Sequence, residues 1–278
     1  MIHVASAHIR TSRWLTEQLR YLHRHMSEPF DVYLSLEDVD PGTLGPGVLT
    51  FEHCGPHAGK LNMLAAEIEA RAVDDDLIMF LDGDAFPVED PMPVIRGALE
   101  ATDLVALQRP ENAGDLQPHP AFCVTSVANW RRMHGDWSAG LTWKDDEGRW
   151  RSDVGGNLLR LLELHDMTWT PLRRTNTLDL HPVWFGVYAG VIYHHGAGFR
   201  AAQSRQDLQA APRPLPTTVP GLRGLARSFN ARRRMRWAET NAREVRSLSD
   251  EVFAELQQDF DFYRRFVSSS GASAPSTR

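Results

Sequence analysis

The chain has 278 residues, a formal net charge of -6 and a pI of about 6.0. This length allows one large domain or two small ones, and 42% hydrophobic residues suffice for a sizeable core. The negative charge excludes the basic field typical of nucleic-acid-binding proteins, and no apolar run reaches the ~18 residues that span a bilayer.

The cysteines and the amino terminus predict the compartment. Cys54 and Cys123 cannot form a disulfide framework and lack the C-x-x-C spacing of a metal site. The first residues, MIHVASAHIRTSRW, lack the charged-then-apolar layout of a signal peptide. We therefore expect a cytoplasmic protein, either in solution or peripheral to the inner face of the membrane.

The first ninety residues alternate strand and helix patterns. Strands are predicted at 2–6, 30–36, 49–51 and 77–81, and periodic helices at 12–26 and 59–72. A continuous apolar strand after a helix is what a parallel sheet covered on both faces requires. The pattern predicts an α/β fold whose first half is a Rossmann-like, mainly parallel sheet flanked by helices.

The rest of the chain divides by composition. The predicted elements are a helix at 91–101, strands at 104–107, 121–125 and 168–171, loops at 108–120 and 138–152, a helix at 153–164 and an extended segment at 184–194. We expect one domain over 1–200, a linker over 201–220, a helical extension over 221–267 and a disordered tail over 268–278.

Carboxylates crowd both ends of the predicted strand in DDDLIMFLDGDAFPVEDP, residues 74–91. Asp82 and Asp84 follow the strand directly, where ligands bind in open α/β sheets. Two aspartates around one glycine can bind a divalent ion, Mn²⁺ or Mg²⁺, with coordination positions left for diphosphate oxygens. The alternative is a solvated strand end, which is the simpler interpretation of the outer acids.

Four segments in order carry a family resemblance. GKLNMLAAEIEA precedes the DGD segment, and HPAFCVTSVANWRR (119–132), SDVGGNLLRLL (152–162) and VIYHHGAGFR (191–200) follow it. This succession resembles the GT-A fold glycosyltransferases, whose D-x-D motif binds a metal and the diphosphate of a nucleotide sugar. The resemblance implies a GT-A-like mixed, mainly parallel sheet and a metal-dependent, hexosyltransferase-type enzyme.

The resemblance also implies a metal set of Asp82, Asp84 and a late histidine. His194 and His195 are adjacent, so in an extended segment their side chains point to opposite faces and only one can reach the aspartates. The family's histidine precedes a glycine by three residues, which favours His195 with Gly198. The alternative for either histidine is a purely structural role.

Further residues are candidates for binding the donor. Lys60 and Asn62 begin a predicted helix, where a helix amino terminus and a cation suit a pyrophosphate, although a capping turn explains them equally. The family often places an acidic contact to the nucleoside after the second strand, where Glu37 and Asp38 lie, although a charged loop explains them equally. Asp82 is expected to bind the metal, its water or the ribose, and Arg200 to neutralise the leaving diphosphate.

Asp153 is the candidate for the catalytic step. The resemblance places an acid here as the base that deprotonates the acceptor, or as an acid that binds the sugar. A helix N-cap is the alternative.

The implied donor is a UDP- or GDP-sugar, and the implied acceptor is a glycan, a lipid-linked glycan or a small molecule. A metal-dependent nucleotidyltransferase and a non-catalytic nucleotide-sugar-binding module stay open as alternatives. The arginine-rich FNARRRMRW at 229–237 has three interpretations: a membrane-surface contact, a solvated helix and a homodimer contact.

Overall fold

The computed structural model describes residues 1–42, 44–145, 148–196, 198–199 and 223–267. The chain divides into two compact units, one formed by Met1–Gly198 with Tyr263–Arg278 and the other by Phe199–Phe262. The predicted linker at 201–220 and tail at 268–278 lie outside the described residues. The limits expected for the domain and its helical extension stay predictions. In the described parts of the chain, no helix has the length and apolar character needed to cross a membrane.

Twelve strands are described in the first unit. They are β1 (Ile2–Ile9), β2 (Phe30–Glu37), β3 (Val48–Glu52), β4 (Leu77–Asp82), β5 (Ala85–Pro87), β6 (Leu104–Leu107), β7 (His119–Ser126), β8 (Trp143–Lys144), β9 (Trp150–Arg151), β10 (Trp169–Leu172), β11 (Gly186–Tyr188) and β12 (Ile192–His194). The helices are α1 (Arg13–His25), α2 (His57–Glu69), α3 (Met92–Leu99), α4 (Val127–Met133) and α5 (Gly156–Leu164). The second unit contains α6 (Arg223–Gln258), and a 3-10 helix follows at Phe262–Arg265.

Seven strands form the main sheet in the order β10-β6-β7-β4-β1-β2-β3. Only β7 runs antiparallel to its neighbours, β4 and β6, and the remaining pairs are parallel. The predicted mixed, mainly parallel sheet is therefore confirmed. Because β4 is central, its carboxyl end opens onto the crevice where ligands of such sheets bind.

Apolar side chains cover both faces of this sheet. Leu15 of α1 and Ile95 of α3 pack on one face, and Leu64 of α2 and Leu158 of α5 pack on the other. This burial explains why β4 is apolar without alternation, since neither of its faces meets water.

Two segments differ from the prediction. Residues 184–194, expected to be one extended run, form the antiparallel pair β11–β12, and β12 pairs in turn with β5. Residues 138–152, expected to be a loop, contain the short hairpin β8–β9. The periodicity of apolar residues cannot by itself locate such turns, because a turn between two short strands interrupts the apolar pattern for only a few residues.

Phe266, the first residue after the 3-10 helix, belongs to the first unit and packs within it. Phe266 is fully buried and stacks on Phe185 and Tyr193, with ring centroids 6.4 and 6.1 Å apart. Its carbonyl accepts hydrogen bonds from the backbone of Thr177 and Leu178. This segment therefore supports the strand that leads to the candidate site.

Replacing Phe266 with Ala is expected to lower the free energy of unfolding by about 3–5 kcal/mol, because it removes a buried ring and leaves a cavity. Chemical denaturation followed by tryptophan fluorescence measures this change. Phe229, which is 57% exposed, supplies the control, since Phe229→Ala should change stability by about 0.5 kcal/mol or less. Equal effects of the two substitutions would contradict a supporting role for Phe266.

Candidate metal centre

The turn between β4 and β5 carries Asp82 and Asp84. Asp82 is the last residue of β4, and Asp84 is buried immediately before β5. Gln18 of α1 donates from its amide to the carbonyls of Asp82 and Ala85, both at 2.8 Å. His8 lies against the same Gln18, with 3.0 Å between His8 Nε2 and Gln18 Oε1, and so fixes the orientation of the amide. The backbone of the turn is therefore held rigidly from the core side.

The small sheet brings His194 to this turn. β12 pairs with β5 so that His194 lies opposite Ala85, one residue after Asp84. His194 Nε2 is 3.6 Å from Asp82 Oδ2 and 3.5 Å from Asp84 Oδ1. The strand pairing thus places one imidazole and two carboxylates around a common point.

The other carboxylate oxygen of each aspartate is already held. His57, the first residue of α2, lies with Nε2 2.9 Å from Asp82 Oδ1. The backbone N–H of Gly198 donates to Asp84 Oδ2 at 2.9 Å. A side chain at 198 would not fit, since an added Cβ would lie 2.7 Å from Asp84 Cβ. Each aspartate therefore keeps one oxygen that faces His194.

These donor atoms suit one divalent cation. Asp82, Asp84 and His194 each offer a ligand atom, and the three atoms lie within 4.8 Å of one another. Adjacent ligands of a six-coordinate ion with bonds of ~2.1 Å lie about 3 Å apart, close to the separations seen here. Oxygen with imidazole ligation is compatible with Mn²⁺ or Mg²⁺, and three protein ligands leave coordination positions open.

Both aspartates favour the ionised form that metal binding requires. Burial alone raises the pKa of Asp82, but the hydrogen bond with His57 and the charges of His57, His119 and His194 outweigh it, so the net pKa lies below the usual range. Burial likewise raises the pKa of Asp84, but the charge and hydrogen bond of His194 together with the charge of His195 bring the net pKa below the usual range. The cluster is therefore anionic before any cation binds.

His195 lies on the opposite side of the strand from His194. Its Nδ1 is 2.9 Å from the hydroxyl of Tyr193, and its ring packs against Trp14 and Phe185 at centroid distances of 4.5 and 4.9 Å. The placement corrects the choice of His195 over His194 as the residue facing the aspartates. The reason is the pairing of β12 with β5, which determines which of the two side chains faces the aspartates. The spacing to Gly198 carries no information about this pairing.

No family model and no curated protein sequence matches the chain. Three solved glycosyltransferase structures are similar in part. Galactosyltransferase LgtC, in complex with donor and acceptor sugar analogues, is 11% identical over 47% of this chain and 59% of its own, with a TM-score of 0.35. Mannosyltransferase PcManGT from Pyrobaculum calidifontis, in complex with GDP-Man and Mn²⁺, is 14% identical over 48% and 46%, with a TM-score of 0.35.

Glycosyltransferase GlyE from Streptococcus pneumoniae TIGR4 is 17% identical over 61% of this chain and 44% of its own, with a TM-score of 0.37. The match thus spans less than two thirds of each of these three proteins. All three are glycosyltransferases by name. The sequence motifs of this chain resemble the same class. The chemistry of the site rests on the residues of this chain alone.

The predicted donor-binding residues have protein partners. Lys60 is buried in the first turn of α2 and forms an ion pair with Glu37, which lowers the pKa of Glu37. Asn62 donates from its amide nitrogen to Asp136 and accepts the backbone N–H of Trp137 with its amide oxygen. The structure therefore joins Lys60 to Glu37, and no described hydrogen bond or ion pair links any of the three to Asp82 or Asp84. Their contact with a donor stays a prediction.

Asp153 precedes α5 and does not cap it. The N-cap is Gly155, without a side-chain hydrogen bond, and Asp153 Oδ1 accepts from the backbone of Val154 at 2.8 Å. The N-cap alternative is therefore wrong, while a role toward acceptor or sugar stays a prediction. Arg200 lies outside the described residues.

A buried polar group beside the site was missed in the sequence. Arg109 is 1% exposed, directs one guanidinium nitrogen at the carbonyl of Val183 and lies 3.7 Å from Glu111. Its neighbour His119 accepts the Ala121 N–H at Nδ1, at 3.0 Å. The ring of His119 is 6.0 Å from that of His194, which places this group at the same crevice. Arg109 follows the end of β6, so the strand-end argument used for Asp82 could have found it.

Replacing Gln18 with Leu is expected to lower the free energy of unfolding by about 2–4 kcal/mol, because two buried carbonyls lose their donor. The affinity for Mn²⁺ should also fall by roughly 10–100-fold, as for other residues that hold metal ligands in place. Urea denaturation and calorimetric Mn²⁺ titration measure the two effects. Thr16→Ala, at an exposed position of the same helix, should change neither. Unchanged Mn²⁺ affinity in the Gln18 variant would contradict its role in fixing the turn.

Proposed function

We propose that the protein transfers a sugar from a nucleoside-diphosphate sugar to an acceptor hydroxyl, using a divalent cation bound by Asp82, Asp84 and His194. The observation that carries this proposal is the convergence of three ligand atoms at the carboxyl end of a central strand. The D-x-D motif, its order among the other sequence segments and the buried position of the cluster support the same function.

The protein's own residues have distinct roles in this proposal. Asp82 and Asp84 hold the cation with their free oxygens, while His57 and Gly198 fix the other two. His194 coordinates as a neutral imidazole. The bound cation would offset negative charge on the leaving diphosphate and fix its position. Of the two candidate ions, the imidazole ligand favours Mn²⁺ over Mg²⁺, which prefers oxygen.

The remaining charges of the crevice complement an anionic donor. Arg109 is a buried cation: burial lowers its pKa, but the neighbouring Tyr188, Glu111 and Asp82 outweigh burial and raise it. Lys60 and Arg109 are each paired with a glutamate, Glu37 and Glu111. Arg109 is the stronger candidate for a cation that acts on the donor because it also adjoins His119, whose ring lies near His194. We assign Asp153 to the acceptor side, as the base or as an acid that binds the sugar.

Product analysis with a panel of nucleotide sugars tests this function. We expect Mn²⁺-dependent release of nucleoside diphosphate, slow with water and faster with a suitable acceptor, and its loss in the presence of EDTA. Release of pyrophosphate would instead indicate a nucleotidyltransferase. Tight binding without any turnover would indicate a binding module. Substitutions of Asp82, Asp84 and His194 then show whether the release of nucleoside diphosphate depends on these residues.

A further inference from the structure

The first half of α6 lies outside the hydrophobic core. From residue 228 to 244 no side chain of the helix is buried. Burial begins at Val245 and continues at Val252 and Leu256, whose spacings of seven and four residues place them on one side of the helix. A helix segment that is exposed on every side gains little from packing against its own fold. Its side chains are therefore accessible to a partner.

Arginines line one side of this exposed segment. Spacings of three, four and seven residues return to the same side of a helix with 3.6 residues per turn. Such spacings join a set that we name the arginine stripe, which consists of Arg232, Arg233, Arg236 and Arg243, with Phe229 at its start. The stripe covers an arc of about 100° and about 21 Å of the helix axis, on the side opposite to Val245, Val252 and Leu256.

The positive charge of the stripe is not neutralised within the part of the chain that the structure describes. No described ion pair joins its arginines to an acid. The segment contains two acids, Glu239 and Glu244, and both lie outside the arc of the stripe. The whole chain has a formal net charge of -6, so this line of cations is a local feature that attracts anionic groups at close range.

The charge and shape of the stripe narrow the choice of partner. A second copy that met the first across a two-fold axis would bring stripe against stripe, and like charges repel. The sequence pI of about 6.0 disfavours a nucleic acid, which binds domains of high pI. Phe229 is 57% exposed, and an aromatic ring beside cations suits a surface whose phosphates cover an apolar layer. A straight line of cations, exposed along its length, fits such a flat surface.

We propose that the arginine stripe binds an anionic phospholipid surface, with the axis of α6 parallel to the surface, the arginines on lipid phosphates and Phe229 among the acyl chains. Each arginine near such a surface increases the partition coefficient by about fivefold, so the four together increase it by roughly 600-fold. This interaction goes beyond the sugar transfer proposed above and does not depend on it.

Sedimentation of the whole chain with phospholipid vesicles tests this interaction. We expect binding to vesicles of phosphatidylcholine and phosphatidylglycerol in a ratio of three to one, and none to pure phosphatidylcholine. High salt should release the protein from the mixed vesicles, because it screens the charges. Neither a metal nor a nucleotide sugar is needed, so a failure of the proposed function would leave this result intact. Equal binding to the two kinds of vesicle, or binding to neither, would overturn the proposal.

Two arginines that are two residues apart supply matched variants. Arg236→Glu reverses a charge within the stripe and should weaken vesicle binding by about 25-fold, since it removes one positive charge and adds one negative charge. Arg234 is also exposed but lies on nearly the opposite side of the helix, about 10 Å further from the surface, where salt screens it. Arg234→Glu should therefore weaken binding by less than about threefold. An equal loss in both variants would indicate attraction to the general charge of the helix and would overturn an oriented stripe.

Phe229→Ala tests insertion into the lipid layer. It should weaken vesicle binding by about tenfold, because buried apolar area adds to the attraction between charges. Unchanged vesicle binding would overturn the insertion of Phe229.

Two further measurements test the other partners. We expect the wild type to bind single-stranded RNA more weakly than the mixed vesicles, and we expect Arg236→Glu to leave its oligomeric state in sedimentation equilibrium unchanged. Tighter binding to RNA, or a dimer that dissociates in Arg236→Glu, would overturn the assignment of the stripe to a lipid surface.

Discussion

Asp84→Asn is expected to lower metal-dependent turnover of a nucleotide sugar by about 10³-fold or more. The amide keeps the shape of the side chain and still offers an oxygen to the Gly198 N–H, but it removes a negative charge from the metal site. The fold should persist, with unfolding free energy within about 1 kcal/mol of wild type, since removal of the charge also relieves its repulsion with Asp82. Initial rates with Mn²⁺ and thermal unfolding in EDTA measure the two quantities.

Asp75 supplies the matched control for this substitution. It belongs to the same acidic stretch, is exposed, and lies before β4 rather than after it. Asp75→Asn should leave turnover unchanged. A loss of activity shared by both variants would point to the general charge of the segment, and full activity of Asp84→Asn would show that Asp84 does not bind the metal.

His194→Ala and His195→Ala are expected to differ in their effect on Mn²⁺ binding. His194→Ala removes a ligand atom, so Mn²⁺ affinity should fall by about 100-fold or more, whereas His195→Ala should retain Mn²⁺ binding. His195→Ala removes a buried ring that contacts Tyr193, Trp14 and Phe185, so the free energy of unfolding should fall by about 2–4 kcal/mol. Calorimetric Mn²⁺ titration and urea denaturation of both variants measure the difference.

The reverse pattern would reinstate His195 as the metal ligand. Full retention of Mn²⁺ binding in both variants would exclude either histidine from the site. Because the two residues are neighbours in the chain, each variant serves as the control for the other.

Local sequence predicted most of the sheet. β4 and β6 have continuous apolar runs, and β1 and β2 are mostly apolar, because the sheet is covered on both faces, and such runs are visible without knowledge of any partner. The position of Asp82 and Asp84 followed from the end of one such run. These features depend on residues that are close together in the chain, which explains why the sequence predicts them well.

The parts that depend on distant partners could not be predicted in the same way. Whether His194 or His195 faces the aspartates is decided by the pairing of β12 with β5, more than a hundred residues earlier. The ion pair of Lys60 with Glu37 and the hydrogen bonds of Asn62 to residues 136 and 137 likewise join separate segments. A cation at a helix start suggests a phosphate site until its acidic partner is known.

Thermal unfolding with nucleotide sugars, in the presence and absence of Mn²⁺, tests the shared metal and donor site most directly. A ligand that binds the native state raises its melting temperature. We predict that at least one UDP- or GDP-sugar stabilises the wild type only when Mn²⁺ is present, and that Asp84→Asn and His194→Ala lose this stabilisation. Stabilisation that needs no metal, stabilisation that persists in both variants, or no stabilisation by any nucleotide sugar would contradict a donor bound through a cation at Asp82, Asp84 and His194.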